Sequence, residues 1–97
     1  MAHFVLAATK IHDFEKMGPY IARIKSVLEQ FGGEIIFAGA CEETLEGSTE
    51  ISSGVLIEFA DAAAAKRWYD SPDYLELRAL RRDCSDARMW LLRPMVP

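Results

Sequence analysis

The sequence is poor in the residues that most small functional sites require. Among its 97 residues are two cysteines, Cys41 and Cys84, and two histidines, His3 and His12. None of the four falls within the close spacing that a metal site needs, and no nucleophile motif or glycine-rich phosphate loop accompanies them. We therefore expect no metal and no cofactor, and reduced thiols, which are the ordinary state of cysteine in the cytoplasm.

Charge and hydrophobicity exclude two further classes of protein. The chain has 11 basic and 15 acidic residues and a net charge of −4, whereas a nucleic-acid-binding domain usually carries a basic stripe. The apolar start, residues 1–8, has no basic leader and is too short to cross a bilayer. We expect no nucleic-acid partner, no membrane partner and a cytoplasmic location.

What the sequence does contain is the material of one domain over residues 1–97. It is 51% hydrophobic and 27% charged, and it shows no repeat, linker or low-complexity segment. A chain of this length buries about two thirds of its unfolded surface. An interface with a second molecule would therefore add substantially to its stability.

Hydrophobic periodicity and turn signals predict the element order βαββαβ. The predicted strands cover residues 3–9, 34–40, 52–59 and 88–92. Asp13 is expected to cap a short turn that Gly18 and Pro19 interrupt, so that the main helix begins at Pro19 and ends at Gly32. Asp61 and Ser71 are predicted to cap two further helical segments.

The two central predicted strands are apolar at both parities, as in residues 34–40 and 54–59. An antiparallel sheet with one solvated face should alternate apolar and polar residues. Because a βαββαβ chain places its helices on one face only, the other face needs a second molecule. The sequence therefore predicts a homodimer packed sheet to sheet, with an interface of at least about 1,200 Å².

The segment from Trp68 to Arg82 is the most specific part of the sequence, since it combines aromatic rings, a Ser-Pro helix start and three arginines. In helical projection, Tyr74 and Arg81 share one flank of the buried side, and Arg78 lies a little further out. A phenol and two guanidinium groups therefore share a border between core and solvent.

With this segment, the chain resembles the domain of unknown function 1330 family, small proteins of the dimeric α+β barrel superfamily. Weaker matches lie at Asp13, Tyr20, Gly32-Gly33, Leu45-Glu46-Gly47 and Glu58-Phe59. The resemblance implies a ferredoxin-like α+β fold, in which a four-stranded antiparallel sheet carries its helices on one face. Relatives in the superfamily include isomerases, dehydratases and cofactor-independent monooxygenases, so the resemblance implies an architecture and no particular reaction.

Two residues of the motif are predicted to form an anion-recognising wall in a pocket between the second helical region and the sheet. Arg78 can offer a planar guanidinium fork to a carboxylate, and Tyr74 can offer its hydroxyl. Trp68 could line the same pocket, although filling the space between helix and sheet is favoured. The other candidate binding residues are Tyr20, Asp13 and Glu46. No catalytic residue is assigned.

Glu58 lies in an otherwise apolar strand, and a buried carboxylate there could act as an acid or a base. A structural pairing is favoured, because buried charges need partners. Arg81 is the expected partner, since its position near Leu77 directs it inward.

Two hypotheses about function remain. In the first, the homodimer binds a small oxygenated or aromatic organic acid between helices and sheet, with cofactor-independent isomerase, dehydratase or monooxygenase-like chemistry. In the second, it is a non-catalytic binding or stress-associated dimer whose motif residues are structural. A cavity lined by Tyr74, Arg78 and another ionisable group would favour the first, and internal pairing of both Arg78 and Arg81 would favour the second.

Overall fold

Four strands and three helices follow in the order βαββααβ along residues 2–96, the part of the chain that the computed structural model describes. The strands are β1 (His3–Ile11), β2 (Glu34–Ala40), β3 (Ser53–Phe59) and β4 (Ser85–Leu92), and the helices are α1 (Phe14–Glu29), α2 (Ala62–Asp70) and α3 (Pro72–Cys84). The strands form one antiparallel sheet in the order β2-β3-β1-β4. This arrangement confirms the predicted ferredoxin-like fold, with the second helical region divided into α2 and α3.

The helices cover one face of the sheet, and strand alternation decides which side chains they bury. Val5 and Ala7 of β1 and Ile57 and Phe59 of β3 are buried on the helix side. Val5, Ile57 and Phe59 belong to one core cluster with residues of all three helices: Val27, Leu28, Ala64, Ala65, Trp68, Tyr74 and Leu77. None of the helices within residues 2–96 combines the length and the apolar character needed to cross a membrane.

Helix α1 differs from its sequence-based prediction at its start. Asp13 caps the helix by accepting a hydrogen bond from the backbone N–H of Lys16 at 3.2 Å, and the helix runs through Gly18 and Pro19 without a break. A proline ring normally clashes with the backbone and Cβ of the residue before it. Gly18 has no Cβ, which relieves that restriction on the helical conformation.

The glycine pair after α1 makes the turn into β2 tight. Gly32 has a φ of 74°, a conformation that glycine adopts at little cost. A Cβ atom on Gly33 would lie 2.8 Å from the ring of Phe59. Gly33 therefore allows the chain to pass directly over the core.

The face of the sheet away from the helices is rich in apolar side chains, and we call it the open face. It carries Leu6, Leu56 and Trp90 on three adjacent strands, with Phe37 opposite Leu56 on β2. Phe37 is 64% exposed and Trp90 is 46% exposed. This explains why alternate residues of the strands are apolar in both sets. One set faces the helices, and the other set forms the open face.

A single serine joins α2 to α3. The hydroxyl of Ser71 donates to the carbonyl of Trp68 at 2.8 Å and accepts from the N–H of Tyr74 at 3.2 Å. Pro72 follows as the first residue of α3, where its fixed φ suits the helix and its missing N–H costs nothing. Ser71 therefore ends one helix and begins the next.

Replacing Ser71 with alanine should lower the free energy of unfolding by about 0.5 to 2 kcal/mol, because the cap of α3 is lost. Chemical denaturation measures this directly. The matched control is Ser26→Ala, since the Ser26 hydroxyl lies on an exposed helix surface and donates only to the carbonyl of Arg23. Equal midpoints for Ser71→Ala and the wild-type protein would show that the serine does not stabilise the junction.

Candidate functional site

A cleft of about 330 Å³ opens on the helix side of the sheet, between α2 and the edge strand β4. Its walls include the aromatic rings of Trp68 and Tyr69 and the side chains of Met89 and Leu91. We call it the apolar cleft. Aromatic and aliphatic walls of this kind suit the ring or chain of a small organic molecule.

A second space of about 330 Å³ lies where α3 meets the start of β4. Its lining includes Arg81 and Arg82 of α3 and Ser85 at the junction, and we call it the polar recess. Tyr69 and Met89 line both the polar recess and the apolar cleft. The two spaces are therefore neighbours, one mainly hydrophobic and the other beside two guanidinium groups.

Three aromatic residues fix the wall behind the apolar cleft. The rings of Trp68 and Tyr74 are 4.2 Å apart, and both side chains are fully buried. The Tyr74 hydroxyl lies 2.9 Å from the hydroxyl of Tyr20 across the contact between α3 and α1. Tyr74 therefore holds two helices together, and its hydroxyl already has a partner.

The environment of Tyr20 keeps its phenol protonated. Burial raises the pKa of Tyr20 above its usual value of 10.0, and the adjacent Tyr74 hydroxyl raises it further. The positive charge of Arg81 acts on the Tyr20 pKa in the opposite direction but does not reverse the shift. The Tyr20 hydroxyl consequently stays neutral beside the charged guanidinium group of Arg81.

Arg78 contacts an aromatic ring and lies beside the two spaces. Its guanidinium carbon is 4.5 Å from the centre of the Tyr69 ring, a cation–π arrangement. The side chain is half-buried and lines neither the apolar cleft nor the polar recess. Arg78 therefore supports the ring that separates the two spaces.

Arg81 and Glu58, predicted to pair, do not meet in the structure. Ile57 and Phe59 face the helices, so alternation along β3 places Glu58 on the open face. Arg81 lies on the helix side, where its side chain is 5% exposed. The sheet separates the two groups, and the Nε atom of Arg81 is buried without a hydrogen-bond partner among residues 2–96.

The remaining predicted site residues lie apart from the two spaces. Asp13 caps α1, and Glu46 is exposed in the loop between β2 and β3. Of the candidates, the structure brings Trp68, Tyr74 and Tyr20 into one aromatic cluster, with Arg78 at its edge. Only Trp68 lines the apolar cleft.

Sequence reasoning missed the contribution of β4. Met89 and Leu91 line the apolar cleft, and neither is among the candidate binding residues predicted from the sequence. Their pairing with Ala7 and Val5 of β1 places them on the helix side. The period-2 pattern of residues 85–92 carries this information, but it does not show that the last strand forms an edge beside α2.

The structure adds no metal centre to this picture. Across residues 2–96, His, Cys, Asp and Glu side chains form no group of three or more that could hold a metal ion. Beside its aromatic and aliphatic walls, the lining of the apolar cleft includes two charged residues of α2, Lys66 and Asp70.

The raised pKa of Tyr20 predicts a stability loss at alkaline pH. The unfolded chain releases the Tyr20 proton near pH 10.0, whereas the folded protein retains it, so unfolding becomes easier as pH rises above that value. Once unfolded Tyr20 is ionised, its share of the fall approaches about 1.4 kcal/mol per pH unit. Denaturation curves of Tyr20→Phe should show a shallower fall above pH 10 and parallel the wild type below pH 9. Parallel curves throughout would contradict the assignment.

Comparisons with known proteins support the fold described above. A protein of unknown function from Rhodopseudomonas palustris superposes with a TM-score of 0.81 at 21% identity, covering 99% of this chain and 84% of that one. A dimeric ferredoxin-like protein of unknown function from Jannaschia sp. CCS1 gives a TM-score of 0.81 at 13% identity, covering 97% and 100%. SnoaB, a cofactor-independent oxygenase from Streptomyces nogalater, gives 0.68 at 18% identity, covering 99% and 97%.

The search among curated proteins found no relative that matches the chain. At the level of sequence, the profile of a family described as a domain of unknown function, DUF1330, matches residues 2–95. This match covers nearly the whole chain and includes every residue of the aromatic and arginine motif. The protein is therefore a member of the DUF1330 family with a ferredoxin-like fold.

Proposed function

We propose that the protein is a homodimer that binds a small oxygenated or aromatic organic acid in the apolar cleft of each protomer. The observation that carries this proposal is the cleft itself, whose aromatic walls adjoin a recess beside two arginines. An apolar space with a few convergent polar groups is the usual form of a small-molecule site. The first hypothesis from the sequence is thus favoured, with the site displaced toward β4.

The indole of Trp68 supports a ligand that carries an oxygen atom. Trp68 lines the cleft, and its Nε1 atom is buried without a hydrogen-bond partner among residues 2–96. Buried donors are almost always paired in folded proteins, because desolvating an unpaired N–H is costly. An oxygen atom of a bound molecule would satisfy this donor.

The open face supports the dimer. In a single protomer its large side chains, among them Phe37 and Trp90, are substantially exposed, and exposed apolar surface of this extent is typical of interaction sites. Apart from Trp90 of the edge strand β4, which also lines the apolar cleft, the open face lies on the opposite side of the sheet from the cleft. Dimerisation can therefore cover it and leave the ligand site accessible.

The second hypothesis accounts for some motif residues, since the Tyr74 hydroxyl pairs with Tyr20 and Arg78 lies over Tyr69. These contacts favour structural roles for both side chains. The proposal is accordingly one of binding, and the oxygenase activity of SnoaB belongs to that protein. The charged residues that line the cleft are Lys66 and Asp70, and no reaction is assigned to them.

The proposed dimer predicts that the protein sediments as a 21.8 kDa species, twice the 10.9 kDa mass of one chain, at micromolar concentration. Leu6→Asp should dissociate it, because the substitution buries a charge at the centre of the interface. Analytical ultracentrifugation makes this measurement.

The matched control is Ile21→Asp, an apolar-to-acidic change at an exposed site on α1, which should leave the dimer intact. A wild-type protein that sediments only as a monomer would remove the basis for the sheet-to-sheet interface. Dissociation by both variants would show that Leu6 has no special position.

Ligand binding at the apolar cleft predicts a rise in melting temperature with small aromatic acids or phenols, because a ligand that binds only the folded state stabilises it. Thermal shift measurements across such a series test this. Leu91→Trp should reduce the rise, since the larger side chain would occupy the mouth of the cleft.

Leu75→Trp provides the comparison, because Leu75 is an exposed apolar residue of α3 that does not line the cleft. It should preserve the rise seen with the wild type. Equal responses of Leu91→Trp and Leu75→Trp would locate the binding site elsewhere.

A further inference from the structure

We infer that Arg81, and not Arg78, anchors the ligand, and that the ligand is an elongated carboxylic acid. Its apolar or aromatic body would occupy the apolar cleft while its carboxylate enters the polar recess. The inference rests on the proposed function, because it specifies the chemistry of a molecule bound at that site. Arg81 is then a ligand-binding residue, and Arg78 positions Tyr69 between the two spaces.

The first observation is a buried positive charge without an acidic partner. The Arg81 side chain is 5% exposed, and a buried charge is costly unless a partner of opposite sign neutralises it. The ion pairs among residues 2–96 are Lys10 with Glu50 and Arg23 with Glu76, and the His12 imidazole lies 2.9 Å from the Asp86 carboxylate. None of them involves Arg81.

The second observation is the unused donor of the same side chain. The Nε atom of Arg81 is buried and has no hydrogen-bond partner in the described chain. The guanidinium group presents its N–H donors in a planar fork that matches the two oxygens of a carboxylate. A carboxylate in the polar recess would supply both the missing charge and the missing acceptor.

The groups around Arg81 do not supply that charge. Tyr20 stays protonated, since burial and the adjacent Tyr74 hydroxyl raise its pKa. The Ser85 hydroxyl donates to the backbone carbonyl of Arg81 and not to its guanidinium group. Arg81 also forms a side-chain hydrogen bond with Tyr20, but the protonated phenol supplies no negative charge. Arg82, also at the recess, adds a second positive charge.

One acidic residue, Asp86, lines the polar recess. Its carboxylate lies 2.9 Å from the Nε2 atom of His12. In the strand register, Asp86 lies opposite Lys10 of β1, and both residues belong to the strand parity that forms the open face. The carboxylate of Asp86 is therefore engaged away from Arg81.

The third observation sets the shape of the ligand. Tyr69 and Met89 line both spaces, so a molecule that extends past these two side chains would reach from the apolar cleft into the polar recess. Arg78 lies 4.5 Å from the centre of the Tyr69 ring. This contact holds the Tyr69 ring in place, and it directs the positive charge of Arg78 to the ring and not into the polar recess.

Cinnamate is a suitable probe, because a planar aromatic body and a short spacer precede its carboxylate. Isothermal titration calorimetry on the full chain should show cinnamate binding at least about ten-fold more tightly than neutral cinnamamide, since hydrogen bonds to charged groups are the stronger ones. Arg81→Lys should remove most of that preference, because lysine keeps the charge and loses the fork. Arg78→Lys should preserve it.

Equal affinities of the wild-type protein for the two probes would overturn the assignment of Arg81 and leave the proposed binding at the apolar cleft intact. Loss of the preference in Arg78→Lys with retention in Arg81→Lys would return the anchoring role to Arg78. Failure of both probes to bind would overturn this inference. The proposed function fails separately, if no compound of the thermal shift series stabilises the wild type.

A measurement on the wild-type protein avoids any loss of folding in Arg81→Lys. Crystals soaked with 4-bromocinnamate should show anomalous bromine signal in the apolar cleft and the carboxylate within hydrogen-bond distance of the Arg81 guanidinium group. A carboxylate directed to solvent or to Arg78 would contradict the inference.

Discussion

The junction between α2 and α3 is the constraint on which the candidate site depends. One hydroxyl, that of Ser71, satisfies a carbonyl at the end of α2 and an N–H at the start of α3, so the chain can change direction without leaving buried polar groups unpaired. The change of direction places the Trp68 and Tyr74 rings 4.2 Å apart. It also directs Tyr69 toward β4 and orients α3 so that Arg81 lies inside.

The two faces of the sheet serve different purposes in this account. The helix side holds the core and, toward the β4 edge, the apolar cleft and the polar recess. The open face carries exposed apolar groups such as Phe37 and supports self-association. The proposed dimer interface and the proposed ligand site thus lie on different faces, so substitutions at Leu6 and Leu91 are expected to have distinct effects.

The fold was predictable from the sequence because its signals are local. Strand β2 was predicted with its observed bounds, and the Ser71-Pro72 helix start was identified by its cap chemistry. The continuous α1 was not predicted, because glycine and proline were both read as residues that interrupt a helix. Gly18 has no Cβ, so Pro19 does not clash with one on the residue before it, and the helix continues.

The site was less predictable, because its polar partners are set by tertiary packing. Helical periodicity placed Arg81 on the inner flank, but its expected partner Glu58 lies on the other face, since Ile57 and Phe59 occupy the helix side. The alternation of side chains along β3 could have shown that Glu58 and Arg81 lie on opposite faces of the sheet. β4 lies at the edge of the sheet, and the polar recess lies beside Arg81. Both follow from the order of the strands in the sheet, which the pattern of individual residues does not show.

The central claim is that a ligand carboxylate neutralises a buried guanidinium group, and the atom that reports on it is the unpaired Arg81 Nε. In a ¹⁵N-labelled sample, the Arg81 Nε–H resonance can be followed by nuclear magnetic resonance during titration with cinnamate. Cinnamate should produce a saturable downfield shift of the Arg81 proton, because the proton forms a hydrogen bond to an oxyanion, and cinnamamide should produce a much smaller shift. A shift of the Trp68 indole resonance with the Arg81 resonance unmoved would contradict the central claim.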